Sequence, residues 1–280
     1  MNDMTMSSMT FDCRDYAEFV ESSFTKRKEA KAWDRIWLNF VYRAHRIRVQ
    51  CLVAISYCYL WIMHPQIVRI QYNLRRNGGL SGNYQWIRLA EIARLVKKFK
   101  PVSVLECGSG ASSAVFGLLC PGNAVTLENS AQWKEHLLRG LGSLAEKMSV
   151  RHVDRVIEES DGEMVCHFNT AHDAYVDCVY VDGPYDHLPE PTAEALAKVR
   201  DPQGHHLALI DVELFWRNGI FPRLVLIDGK RSTVRRLIGK GQERYDIYLK
   251  SDFWFQMGIA KWGRYHYHTV MVRRDSIKEE

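Results

Sequence analysis

The sequence predicts an α/β fold built on a mostly parallel sheet, and three observations lead to this. Short apolar runs at residues 102–105, 124–127 and 177–181 are each followed by a turn and a helical pattern. Each run is followed by an acidic residue. Near the carboxyl end, residues 245–250 and 265–272 alternate bulky and polar side chains, which predicts a closing antiparallel hairpin. Strands that alternate with helices are typical of parallel sheets.

Composition limits the function classes. The chain has 280 residues, 46% of them hydrophobic, which suits one large domain with or without an appendage. Its net charge of +5 comes from 38 basic and 33 acidic residues spread along the chain, so we expect no nucleic-acid partner. Seven cysteines without a Cys-x-x-Cys pair predict reduced thiols in a cytoplasmic protein, with neither a zinc site nor disulfides. No secretory signal is visible at the start.

The first part of the chain differs from the rest. Apolar residues at helical spacing predict helices over 11–24 and 30–47. Residues 49–63 are nearly free of charge but are shorter than the roughly 18 to 20 residues of a membrane span, so we expect a buried helix. The alternative is peripheral membrane contact through residues 43–63, which begin with three arginines. The turn-rich stretch 75–83 predicts a boundary between a helical extension, 1–84, and a main domain, 85–280.

The most informative stretch is the strand-turn-helix around Glu106-Cys-Gly108-Ser-Gly110. Two glycines at this spacing allow a sharp turn and a close approach to a ligand, and Ser112 lies near the expected start of the next helix. A dinucleotide loop would have a third glycine where this chain has Ser113. Glu106 would repel a phosphate and would suit a ligand with an ammonium group.

These residues resemble the first motif of the class I S-adenosylmethionine-dependent methyltransferases, in which an acid-x-Gly-x-Gly sequence follows an apolar strand. Glu128 ends the next strand about 20 residues later, where an acid accepts hydrogen bonds from ribose hydroxyls. The resemblance covers roughly residues 85–273. It implies a Rossmann-like seven-stranded sheet with helices on both faces and a C-terminal antiparallel hairpin, with S-adenosylmethionine as the cofactor.

The fourth motif of that family resembles the strand that ends at Asp182, before Gly183 and Pro184. Asp182 and His187 are therefore the predicted catalytic residues. The predicted cofactor-binding residues are Glu106, Gly108, Ser109, Gly110, Ser112, Glu128, Asp154 and Asp182. For the fifth strand we prefer 223–228 over 206–211, because residues 232–238 supply the following helix.

Methyl transfer is an in-line displacement, so the protein mainly aligns donor and acceptor and removes a proton. The resemblance implies a small-molecule or glycan acceptor, methylated at a hydroxyl oxygen. Some members bind magnesium after the fourth and fifth strands, but Asp228-Gly229 lacks the second polar ligand, and no metal is predicted.

Two other functions remain open from the sequence. One is a non-catalytic protein that keeps the fold and docks on a membrane or partner through its N-terminal helices. The other is a nicotinamide-dependent oxidoreductase, which Glu106 and Ser113 disfavour. The sequence does not indicate the oligomeric state.

Overall fold

The computed structural model describes residues 32–76, 85–187, 192–199, 206–248 and 268–277. Its main sheet has seven strands in the order β3 (Ser149–His152), β2 (Ala124–Glu128), β1 (Val104–Cys107), β6 (Cys178–Val181), β8 (Leu224–Ile227), β10 (Thr269–Arg273) and β9 (Tyr245–Tyr248). Neighbouring strands from β3 to β8 run parallel, whereas β10 pairs antiparallel with both β8 and β9. This order confirms the predicted Rossmann-like fold class, including its C-terminal antiparallel hairpin.

The described elements follow one another in a mostly alternating order. The helices are α1 Ala32–Met63, α2 Pro65–Arg76, α3 Gln85–Phe99, α4 Ala111–Leu119, α5 Ala131–Leu141, α6 Ala193–Ala197, α7 Asp211–Arg217 and α8 Arg231–Gly241. The strands are β1 Val104–Cys107, β2 Ala124–Glu128, β3 Ser149–His152, β4 Arg155–Ser160, β5 Glu163–Phe168, β6 Cys178–Val181, β7 Ala208–Leu209, β8 Leu224–Ile227, β9 Tyr245–Tyr248 and β10 Thr269–Arg273. Short 3₁₀ helices cover Gly142–Lys147 and Arg274–Ile277.

Two apolar cores cover the two faces of the sheet. On one face, Leu60 of α1 and Ile67 of α2 share a core with α3, α4 and α5. On the other face, Phe168, Phe215 and other side chains of β5, α7 and α8 pack against the alternate residues of the same strands. The helices α1 and α2 therefore share a core with the main domain. Burial of their apolar side chains removes apolar surface from water and so stabilises this packing.

The predicted buried helix at 49–63 is only partly correct. It is the second half of the long helix α1, and one face of it is exposed, with Ile55 63% and Trp61 61% accessible. Among the described residues, no single helix combines the length and hydropathy needed to cross a bilayer. The helical segments 49–63 and 65–76 pass this length and hydropathy test only when they are taken together, and the chain bends by 116° between them.

A second sheet, in the order β4-β5-β7, was missing from the sequence-based prediction. Its hairpin turns at Asp161 and Gly162, which have φ angles of 56° and 77°. Two consecutive positive φ angles are typical of a type I′ turn, and Asp-Gly is a preferred sequence for it. The turn signal was therefore present in the sequence.

Other differences concern single segments. The stretch 206–211 is split between β7 and the start of α7, and 223–228 contains the fifth parallel strand, β8, as predicted. Val102 lies outside β1 and is 66% exposed. The predicted helix at 11–24 and most of the predicted boundary at 75–83 lie outside the described residues.

Candidate functional site

The candidate site lies where the direction of the strand order reverses, between β1 and β6. In open α/β sheets, ligands bind outside the carboxyl ends of the strands at this place. The turn after β1 and the turn after β6 touch here, and the amides of Asp182 and Gly183 both donate to the Cys107 carbonyl, at 2.8 and 2.7 Å. Gly108 has a φ of 88°, and a Cβ on it would lie 2.4 Å from the Gly183 nitrogen. Only glycine fits at 108.

Gly110 has a different reason for being glycine. A Cβ there would have no protein atom closer than 3.9 Å, and its φ of 178° is extended backbone that any residue adopts. The protein itself therefore leaves room for a side chain at 110. A ligand that approaches the backbone closely would require that space.

Glu106 is completely buried below the glycine turn. Its carboxylate accepts hydrogen bonds from the hydroxyls of Ser112 at 2.5 Å, Ser113 at 2.6 Å and Thr126 at 2.6 Å. Burial raises the pKa of Glu106 to about 7, although these three hydrogen bonds and the Arg88 charge oppose the shift. In this arrangement Glu106 holds the start of α4 against β2, and a direct contact with a ligand stays a prediction.

Glu128 lies on the same face of the sheet as Glu106 and is two residues nearer the carboxyl end of its strand. Thr126 is the register partner of Glu106, and side chains two residues apart on a strand share a face. The Glu128 carboxylate accepts from the Ser109 hydroxyl at 2.7 Å, the Ser109 amide at 3.2 Å and the Ser130 amide at 2.8 Å. Glu128 thus borders the glycine turn at its outer side.

Trp133 of α5 fixes the same turn by donating its ring N–H to the Ser109 carbonyl at 3.0 Å. Its helix begins as predicted, because the Ser130 hydroxyl accepts from the Trp133 amide at 3.1 Å. The turn is therefore held from below by Ser113, whose hydroxyl accepts from the Gly110 amide, and from the side by Glu128 and Trp133.

Arg88 of α3 joins the predicted catalytic residue to a second carboxylate. Its guanidinium lies 2.7 Å from Asp182 Oδ2 and 2.9 Å from Asp228 Oδ2. These are the two acids that the resemblance would offer to magnesium, and a protein cation lies between them. Burial raises the pKa of Asp182, the nearby Asp228 charge adds to the rise, and Arg88 opposes it. Asp182 keeps 27% of its side chain exposed.

The remaining predicted residues lie farther from this centre. Asp154 is exposed in the connection between β3 and β4. His187 is partly buried in a cluster with Asp186 and His206, in the segment that follows Asp182. Sequence reasoning missed Arg88, because an arginine within an amphipathic helix gives no signal of the distant carboxylates that it pairs with.

Comparison with known proteins adds little beyond this geometry. No family model matches the chain, and no curated protein matches it. Among solved structures it is similar to a Podospora anserina methyltransferase bound to SAH, at 12% identity and TM-score 0.44, covering 84% of this chain and 96% of that one. It is also similar to a Geobacter sulfurreducens methyltransferase, at 12% identity and TM-score 0.42, with 79% and 96% covered. A third similar structure is the O-methyltransferase TomG from Streptomyces achromogenes, at 15% identity and TM-score 0.41, covering 79% of this chain and 96% of that one. These TM-scores are all below 0.5, and the strand order alone supports the fold assignment.

Proposed function

We propose that this protein is an S-adenosylmethionine-dependent methyltransferase. The observation that carries the proposal is the contact between the turns at Gly108 and Gly183 at the reversal point of the sheet, with Glu128 and Asp182 on either side. Among the described residues, this place combines a glycine turn, a position at Gly110 where the protein leaves room for a methyl group, and two carboxylates. A sulfonium donor that also carries an ammonium group and a ribose suits these groups better than a phosphate-bearing dinucleotide does.

The residues present fit the cofactor. Gly110 leaves room for a methyl-sized group at the start of α4, where Ser109 and Ser112 also lie. Glu128 stands where an acid binds ribose hydroxyls, and it would exchange the Ser109 hydroxyl for a ribose hydroxyl. The cofactor supplies an electrophilic methyl group. Asp154, exposed beyond β3, is the proposed contact for the adenine amino group.

Asp182 is the proposed proton acceptor for a hydroxyl substrate. Bound S-adenosylmethionine would supply the methyl group together with a neutral thioether as the leaving group. The hydroxyl proton passes to Asp182, whose raised pKa makes it a better base than an exposed aspartate. Arg88 keeps this carboxylate oriented through its 2.7 Å contact. A small molecule or glycan is the proposed acceptor class.

Calorimetric titration with S-adenosylhomocysteine tests the proposal. The wild-type protein is expected to bind one equivalent, and NAD is expected to give no heat. Gly110→Ala should fold with unchanged stability and lose more than about tenfold in affinity, because the new methyl group takes the ligand's space. Gly239→Ala in α8, where a Cβ meets nothing within 4 Å, is the control for adding a methyl group without a protein clash. Full affinity in Gly110→Ala would contradict the assigned site.

Gly108→Ala is less informative as a binding test. Its Cβ would clash with Gly183 backbone, so β1 and β6 would have to separate. Asp182→Asn, by contrast, should retain S-adenosylhomocysteine binding while methyl transfer to an identified acceptor falls by 10²-fold or more.

A second proposal concerns the exposed face of α1, which we infer contacts an anionic membrane surface. Seven exposed apolar side chains lie within a helical stripe of about 120°. They are Ile47, Cys51, Ala54, Ile55, Cys58, Trp61 and Ile62. Arg69 and Arg76 are exposed on the adjoining helix α2, which favours anionic headgroups.

Flotation with vesicles that contain phosphatidylserine tests this contact. Wild-type protein should rise with the vesicles, whereas a Trp61→Ser and Ile62→Ser double variant should stay at the bottom. Val102→Ser removes an equally exposed apolar side chain elsewhere and should float like wild type. Wild-type protein that stays at the bottom and forms a dimer in light scattering would instead assign the face to a second copy of the chain.

A further inference from the structure

Three potential metal ligands meet beyond the end of β6. One nitrogen or oxygen each from Asp186, His187 and His206 lies within 4.8 Å of the other two. Asp186 and His187 follow the Asp182 turn, and His206 precedes β7. The cluster does not include Asp182 or Asp228 and is separate from the Arg88 ion pairs.

The backbone holds these ligands in place. His187 and His206 face each other in an isolated antiparallel bridge, and the Leu207 amide donates to the Asp186 carbonyl at 2.8 Å. Arg155 donates to the His187 carbonyl at 3.2 Å, and the Ser232 hydroxyl donates to the His206 carbonyl at 3.2 Å. Three hydrogen bonds, one of which closes the bridge, therefore fix the two chain segments before any ligand binds, which lowers the entropic cost of assembling a site.

The ligand atoms are close to the separation that one ion requires. Nδ1 of His206 lies 3.2 Å from Asp186 Oδ2. Ligands about 2.1 Å from a tetrahedral zinc ion are about 3.4 Å from one another. The two imidazole ring centres lie 4.2 Å apart, and a ligand nitrogen of His187 lies within 4.8 Å of the ligand atoms of Asp186 and His206.

We propose that Asp186, His187 and His206 bind a divalent transition-metal ion such as Zn²⁺. Two imidazoles with one carboxylate favour zinc, cobalt, nickel or copper over magnesium, which prefers oxygen ligands. Three protein ligands leave a fourth position open to a water molecule or to an oxygen of a bound molecule. This inference does not depend on the methyl donor, because metal binding is measured in its absence.

Lys230 provides an internal check on the site. Its ammonium lies 3.4 Å from the same Asp186 oxygen that faces His206, so a protein cation already stands beside this carboxylate. A metal ion would have to compete with it. Removing the lysine charge should therefore tighten metal binding, an effect that a purely structural cluster would not show.

Titration of the untagged full-length protein with Co²⁺, followed by visible absorption and calorimetry, tests the site. Wild type should bind one equivalent and develop the intense absorption of tetrahedral cobalt, which Zn²⁺ then displaces. His187→Ala and His206→Ala should each lose more than about tenfold in affinity. Lys230→Met should gain severalfold. His152→Ala, in an exposed histidine on β3, should match wild type.

Several results would overturn the proposal. Wild-type protein that shows no saturable Co²⁺ binding has no such site. Equal affinities in wild type, His187→Ala and His206→Ala would place the ion elsewhere. Circular dichroism identifies any alanine variant that unfolds. In that case Lys230→Met provides the test of the site, because unchanged or weaker Co²⁺ binding in this variant would contradict the proposed competition between Lys230 and the metal. These variants are expected to keep S-adenosylhomocysteine binding. A wrong metal-site proposal is therefore distinguishable from a wrong assignment of the methyl-donor site.

Discussion

The described residues include two groups of carboxylates that each surround an arginine, and the groups differ in the number of cations that face the carboxylates. Around Arg236, two further cations, Arg217 and Lys240, face Glu213, Asp161 and Glu163 at distances of 2.6 to 3.3 Å. Around Arg88, one guanidinium contacts Asp182 and Asp228, with Glu106 close enough to feel its charge.

The pKa shifts of the two groups go in opposite directions. Burial opposes ionisation of Glu213, but hydrogen bonds from Arg236, Lys240 and Arg217 outweigh it and lower the pKa of Glu213 to about 2. Burial raises the pKa of Glu106 to about 7 and raises that of Asp182. The Arg236 group connects the second sheet to α7 and α8. The Arg88 group contains carboxylates whose ionised forms are destabilised by burial, which is common at functional sites.

Arg236→Met should give the largest loss of stability. The arginine side chain is 3% exposed and contacts Glu213, which is 4% exposed, so its removal leaves a buried carboxylate with fewer partners. Breaking such a pair costs about 3 to 5 kcal/mol. Urea unfolding at neutral pH measures it. A loss below about 1 kcal/mol would show that the two groups do not differ as described.

Glu106→Gln should change how stability depends on pH. Since the folded pKa of Glu106 is raised from 4.5 to about 7, its contribution is present below pH 4.5 and is lost as the pH rises through 7. Wild type should lose up to about 3 kcal/mol more than Glu106→Gln between these limits. Glu213 adds no slope there, because its stabilisation is lost only as the pH falls from 4.5 through 2. Parallel pH profiles would contradict burial as the dominant cause.

Arg88→Met should destabilise the protein less than Arg236→Met, by roughly 2 kcal/mol. Asp182 is 27% exposed and is able to recover hydration when the guanidinium is removed. Arg88→Lys should restore part of the stability, since it keeps the charge but not both contacts. Thermal unfolding of the two variants side by side checks this order, and a larger loss in Arg88→Met than in Arg236→Met would reverse it.

Gly162→Ala should have the smallest effect, about 1 kcal/mol. The position has a φ of 77°, and a Cβ there meets nothing within 4 Å, so backbone strain is the only cost. The turn carries Asp161, which lies 2.6 Å from Arg236. Chemical denaturation is sufficient to measure the change, and a loss above about 3 kcal/mol would show that the turn supports the Arg236 group more strongly than its geometry indicates.

Much of the fold was predictable because local signals and tertiary structure agree. The apolar runs before Glu106, Glu128 and Asp182 became the strands β1, β2 and β6, and Ser130 begins α5. The hairpin of β4 and β5 was missed, although its Asp-Gly turn was visible, because β4 lacks the alternation of apolar and polar residues that predicts a strand. The exposed face of α1 agrees with the alternative that the sequence left open for residues 43–63, because an apolar segment does not reveal which of its faces is covered.

The candidate site was predictable only in part. Glycines and acids that follow apolar strands mark the carboxyl edge of a parallel sheet, so Gly108, Glu128 and Asp182 were found. The enclosure of Glu106 by hydroxyls depends on the register of β1 and β2, which the sequence does not specify. The pairing of Arg88 with Asp182 joins residues 94 positions apart, and the cluster of Asp186, His187 and His206 joins residues on either side of α6. Such contacts leave no local pattern.

Binding of S-adenosylhomocysteine to Gly110→Ala, measured beside wild type and Gly239→Ala by calorimetry, tests the central claim most directly. The site described here predicts one tight equivalent in wild type and Gly239→Ala, with a loss of more than about tenfold in Gly110→Ala. Equal affinity in all three proteins, or no binding to wild type, would contradict it.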